Sequence, residues 1–180
     1  MSLMWVYRVL LHQKKHTCQC KCCSHQTLAT SRIVMNNPLS THKKKLIILF
    51  LIHLFLVLRL TLIDRQSGAR KAMLYPFWEL MSLLENIGCE PLRRFWLVQI
   101  FGNIAMFMPF GFLLPYVSRI KRFRQVVLAG LAFSVCIEIT QYITGRGLCE
   151  FDDVFNNTLG TYLGFRLRRF LINYRRKYLK

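Results

Sequence analysis

The chain has 180 residues, 26 Lys and Arg against 8 Asp and Glu, and 53% hydrophobic side chains. A mean hydropathy of +0.29 with a formal charge of +18 excludes a disordered chain, and the length excludes a large multidomain enzyme; together they point to an integral membrane protein with basic flanks. Four of the seven cysteines crowd into Cys18, Cys20, Cys22 and Cys23, which argues against a disulfide-built secreted module.

Residues 1–45 read as a basic, disordered cytoplasmic tail rich in Gln, Thr, Ser, Asn and Lys. Met35, just before Asn36-Asn37-Pro38, offers an alternative start, so residues 1–34 are read as upstream sequence outside the working protein. The alternating Cys18, Cys20, Cys22 and Cys23 lack the paired spacing of a zinc knuckle and read as a reduced tract.

The first predicted span is 46–63, broken only by His53, Arg59 and Thr61. At 1.5 Å per residue it reaches roughly 27 Å, close to the hydrocarbon thickness. Pro76 and Gly88 punctuate a short helix between them. Phe77, Leu80, Met81, Leu84 and Ile87 share one face of it, and Glu79, Ser82 and Glu85 lie off that face. It is read either as an interfacial helix on the outer leaflet or as a helix packed across the mouth of the bundle.

The second span is 95–117, where Pro109, Gly111 and Pro115 predict a kink or a break. The third is 125–144. The fourth is 154–172, where Arg166, Arg168 and Arg169 must snorkel or lie beyond the membrane. Residues 173–180 form a second basic tail. Lys and Arg concentrate before Leu46, in the 118–124 link and after Phe165, which places those three regions and both termini in the cytoplasm. The same flanking pattern explains the charge by lipid head groups, so nucleic acid is not expected as a partner.

Polar residues inside the spans are the candidates for function. Glu138 sits in the third span, where an ionisable group is costly and faces a partner or a cavity. Ser134, Gln141 and Gly130 share its face. Gln99 and Asn103 in the second span, and Asn157 in the fourth, lie at similar depth. Gly160 and Gly164 share the face of Asn157 and permit close helix approach, which interhelical packing alone would also explain. In the third loop, Asp152 reads as the N-cap of the fourth span and Asp153 as a charge favoured at its positive end. The functional reading adds Arg146 beside them, able to bind a head group or to activate a hydroxyl. Every histidine lies at or before His53, so a Ser-His-Asp or Cys-His set is not expected. Two or three acids are few for an ion cage, and neither metal nor cofactor is expected.

Several of these residues resemble the signature of the VanZ-like membrane family. They are 102–115 (Gly-Asn-Ile-Ala-Met-Phe-Met-Pro-Phe-Gly-Phe-Leu-Leu-Pro), Glu138 with Gln141, Thr144-Gly145-Arg146-Gly147, Phe151-Asp152-Asp153, and Asn157 with Gly160 and Gly164. Tyr75-Pro76-Phe77 is similar to an element that precedes the family's second span. The resemblance covers about residues 72–172 and implies a protein of the bacterial plasma membrane. The family takes its name from a protein conferring low-level resistance to teicoplanin.

The expectation is an all-α polytopic bundle of about four transmembrane helices plus a short interfacial helix. Asn103, Glu138, Gln141, Arg146, Asp152, Asp153 and Asn157 would form a polar pocket for an envelope lipid, a lipid-linked envelope component or the acyl chain of a lipoglycopeptide. One alternative is a membrane enzyme acting on a lipid or wall-precursor head group, with Glu138, Asp152 or Asp153 as its catalytic carboxylate. Another is a structural bundle whose polar residues only hold helices together.

Overall fold

Apolar runs of this length, with their backbone groups satisfied internally, form long helices. The computed structural model describes residues 38–65, 68 and 70–178. The expectations for residues 1–34 and for the cysteine tract lie outside the described residues. Helix α1 is Pro38–Leu58, so the helix begins eight residues before the predicted span, and the stretch up to Lys45 is helical instead of a disordered tail. It continues as a π-helical turn, Arg59–Ile63. There the Thr61 hydroxyl donates to the Val57 carbonyl at 2.8 Å, and the Asp64 N–H reaches back five residues to Arg59 at 2.9 Å.

The short helix α2 is Trp78–Glu85, followed by α3, Glu90–Val117, and α4, Phe123–Thr144. Helix α5 is Phe151–Tyr178, longer at both ends than the predicted fourth span. The expected break in the second span is absent: α3 runs through Pro109, Gly111 and Pro115 without interruption. Two short strands were not expected. β1, Lys71–Met73, pairs in parallel with β2, Leu148–Glu150, with Ala72 opposite Cys149. This pairing ties the loop after α1 to the loop after α4.

Among the described residues, three helices are long and apolar enough to cross a membrane: Thr41–Ile63, Glu90–Val117 and Phe123–Thr144. Helix α5 matches them in length but carries Asp152, Asp153, Asn156 and Asn157 in its first two turns and three arginines in its middle. The packing explains the difference. α5 packs along both α3 and α4, and it buries its polar stripe against them and against the start of α2. Apolar side chains point outward instead: Ile48, Leu51, Phe55, Leu128, Ile139 and Ile143 are all exposed. A polar interior with an apolar exterior suits a bundle whose solvent is lipid.

Two small apolar clusters fill the bundle's other half. Phe110, Leu114, Val126 and Phe165 form one; Val57, Phe107 and Ile137 form the other. Phe133 packs against both and stacks on Phe110 with ring centroids 5.3 Å apart.

A buried carboxylate cluster as candidate functional site

Helix α2 is turned the opposite way to a soluble amphipathic helix. Glu79 faces inward at 1% exposure, while Leu80, Met81, Leu84 and Ile87 are left uncovered. The structure therefore combines the two sequence readings: the helix packs on the bundle and presents its apolar face outward. Trp78 meets Trp96 of α3 edge to face, with centroids 5.0 Å apart. Asp152 fixes the start of α2. Its carboxylate accepts the Phe77 N–H at 2.6 Å and the Glu79 N–H at 2.9 Å. The expected N-cap role is thus corrected. Asp152 lies inside the first turn of its own helix and caps a different one, 73 residues upstream. Phe77 takes up a left-handed conformation, φ 61°, which a bulky residue rarely adopts and which this double bond holds in place.

Around this cap the fold gathers five acids. Asp153 accepts a hydrogen bond from the Asn103 side chain of α3. Asn156 donates to Glu79 Oε2 at 3.0 Å. Glu138, 3% exposed, accepts the Glu150 N–H at 3.0 Å, which anchors β2 to α4. Glu150 itself is buried beside them. Burial pushes the Glu79 carboxyl up to about 8, helped by repulsion from Asp153, Glu150 and Asp152. Burial and the charges of Asp153 and Glu138 raise Glu150 to about 7, against the opposing pull of the Arg65 guanidinium.

The remaining candidates fall beside this cluster or away from it. Asn157 donates to the Ser134 hydroxyl at 2.9 Å and joins α5 to α4. Gln141 donates to the Thr61 carbonyl at 2.9 Å and joins α4 to the π turn. Arg146 is the exception. It is exposed and approaches only the Leu62 carbonyl, at 3.4 Å, so the expected guanidinium beside Asp152 and Asp153 is not there. Arg65 supplies the nearby positive charge instead. The reading of the sequence missed Glu79, Glu150, Asn156 and Arg65. The spacing of Asp152 with Asn156 and of Asp153 with Asn157, each i to i+4, was the available signal that α5 turns a double polar stripe inward.

The predicted packing glycines stand at the tightest contacts. A Cβ on Gly160 would fall 2.2 Å from the Ile104 carbonyl oxygen, and one on Gly164 1.9 Å from that of Met108. Gly130 faces the Thr161 hydroxyl in the same manner. Gly111 belongs with them, since its Cβ would fall 1.9 Å from the Thr161 carbonyl oxygen.

Next to the acids lies a cavity of about 210 Å³. Ile100, Ile104, Phe155 and Leu159 give it apolar walls, and Glu79, Asp152 and Asn156 also line it. Drug-sized pockets begin at roughly 300 Å³.

The VanZ/LLP1 family model matches residues 46–172. The chain belongs to the VanZ/LLP1 family. That VanZ/LLP1 region starts within α1 and ends within α5, so it takes in all the long helices, both strands and every acid of the cluster. A search of curated proteins aligns 69 residues with Protein VanZ of Enterococcus faecium at 33% identity. The alignment covers 38% of this chain and spans 43% of that relative's length. No solved structure matches the chain.

The Glu138 anchor makes a direct prediction. Glu138→Gln keeps an oxygen to accept the Glu150 N–H and is expected to unfold within about 0.5 kcal/mol of the parent. Glu138→Ala strands that buried donor and is expected to cost about 1–3 kcal/mol. Thermal unfolding of the detergent-purified chain checks this. Equal loss in both variants would mean that the hydrogen bond is not what Glu138 contributes.

Proposed function

We propose that this VanZ/LLP1 protein acts in the bacterial plasma membrane, where it holds the tail of an envelope lipid, or the acyl chain of a lipoglycopeptide, near the outer leaflet. Binding there lowers the drug's effective concentration at the wall precursor and so contributes to teicoplanin resistance. In this reading α5 is the fourth span. Both termini and the 118–124 link face the cytoplasm, in keeping with their Lys and Arg. The carboxylate cluster then lies at the outer end of the bundle, with α2 along the membrane surface and its apolar residues in lipid.

The observation that carries the reading is the cavity beside the cap. Its apolar walls adjoin buried polar groups, the arrangement needed to take a chain and orient what it is attached to. The family relationship supports the resistance phenotype.

The test is teicoplanin susceptibility of a sensitive host at matched membrane abundance. The parent is expected to raise the inhibitory concentration above that of an empty vector. Ile104→Trp or Leu159→Trp, which fill the cavity, are expected to remove the gain. A parent indistinguishable from the vector would sink the resistance reading. Protection that survives both cavity-filling changes would sink the cavity as its source.

A further inference from the structure

Asp152 and Asp153 by themselves are too few for an ion site, but folding brings Glu79, from a distant part of the chain, up to Asp153 and its neighbour Glu150. One carboxylate oxygen from each of the three lies within 4.8 Å of the other two, and all three residues are buried. Hydrogen bonds account for part of the cluster: Asn156 serves Glu79 Oε2, and Asn103 serves Asp153 Oδ1. Glu79 Oε1 and Glu150 Oε2 are left with no partner, although their residues are only 1% and 8% exposed. A buried carboxylate oxygen without a donor is costly, and more so beside other acids. Among the described residues, no Lys or Arg nitrogen forms an ion pair with any of the three carboxylates. Arg65 is the nearby positive charge, but it acts on the cluster without an ion pair, and two buried carboxylate oxygens stay without a donor.

We propose that Glu79, Glu150 and Asp153 bind a divalent metal ion. Three carboxylates and no nitrogen or sulfur select a hard cation such as Mg²⁺, Mn²⁺ or Ca²⁺. The donors come from α2, β2 and the first turn of α5. One ion thus joins the outward-facing helix and the strand clamp to the inner helix, with its remaining positions open to water or to oxygens of a ligand. The inference does not depend on what the neighbouring cavity holds.

The full chain, purified in detergent micelles and stripped with EDTA, is titrated with Mn²⁺, and the free ion is read by its electron paramagnetic resonance signal. One saturable site per chain is expected, displaced by Mg²⁺ or Ca²⁺. Glu79→Gln, Glu150→Gln and Asp153→Asn are each expected to weaken it by at least about 10-fold. Glu85→Gln, on the exposed end of α2, leaves binding unchanged. Absence of saturable binding by the parent overturns the site, as does undiminished binding by all three ligand variants; a proton shared between Glu79 and Glu150 would then satisfy the pair. Should the ligand variants fail to fold, the parent decides alone. Mn²⁺ must raise its thermal midpoint and EDTA must reverse the rise, and an unmoved midpoint overturns the site. Metal binding without any effect on teicoplanin susceptibility would leave this site standing and remove only the resistance reading.

Discussion

Gly164→Ala is expected to destabilise the bundle by about 3 kcal/mol or more, at the upper end of what overpacking does. The new Cβ would sit 1.9 Å from the Met108 carbonyl oxygen, and the obstacle is backbone, which cannot rotate away as a side chain can. The crossing is interlocked. Gly160 and Gly164 of α5 receive carbonyls of α3, while Gly111 of α3 receives the Thr161 carbonyl of α5. One added methyl must push the two helices apart along their whole contact, and Asn103 would lose its reach to Asp153. Gly160→Ala and Gly111→Ala are expected to behave alike. Gly102→Ala provides the contrast, because nothing lies within 4 Å of its Cβ. Relief of glycine's backbone entropy makes it neutral or more stable by about 0.5–1 kcal/mol. Thermal midpoints of the detergent-purified variants measure both. If Gly164→Ala proves as stable as Gly102→Ala, the close crossing is wrong.

Asp152→Ala is expected to cost about 2–4 kcal/mol, since it strands two buried or half-buried N–H groups at once, each worth about 1–3 kcal/mol. The damage should be local. Without its cap, α2 keeps only the Asn156–Glu79 hydrogen bond to α5 near its start, and Phe77 has little reason to keep its left-handed conformation. Amide hydrogen exchange over residues 75–87 is expected to speed up sharply, while α3 and α4 stay protected. Asp152→Asn keeps one accepting oxygen and should fall between the parent and Asp152→Ala. Uniform loss of protection through all the helices would show instead that Asp152 supports the bundle as a whole.

Much of this architecture was legible in the chain. A run such as Leu46–Ile63 has one stable form in lipid, and basic residues mark where such runs stop. The three apolar spans accordingly differ from the helices by a few residues at each end, most at Pro38 and Glu90. Gly160 and Gly164, four apart on one face, were equally readable as a close approach. The candidate site was legible only in part. Glu138, Asn103 and Asn157 could be placed by depth and facing, because helical spacing fixes both. Arg146 could not, because a loop residue has no periodicity to aim it, and it turns to the Leu62 carbonyl.

By itself, then, the sequence determined the elements, since propensity, apolar length and flanking charge act over neighbouring residues. Tertiary structure alone decided what the polar groups do to one another. Asp152 looks like a cap for the helix it sits in, yet its carboxylate serves N–H groups 75 and 73 residues away. Glu79 reads as the solvent face of an amphipathic helix, yet it is buried, because the outward side of α2 is the apolar one. Glu150 meets Glu79 where a parallel strand pair, invisible in a three-residue stretch, brings the loops after α1 and α4 together. These are long-range pairings, and a buried polar atom is satisfied by whichever partner the fold delivers, however distant in the chain.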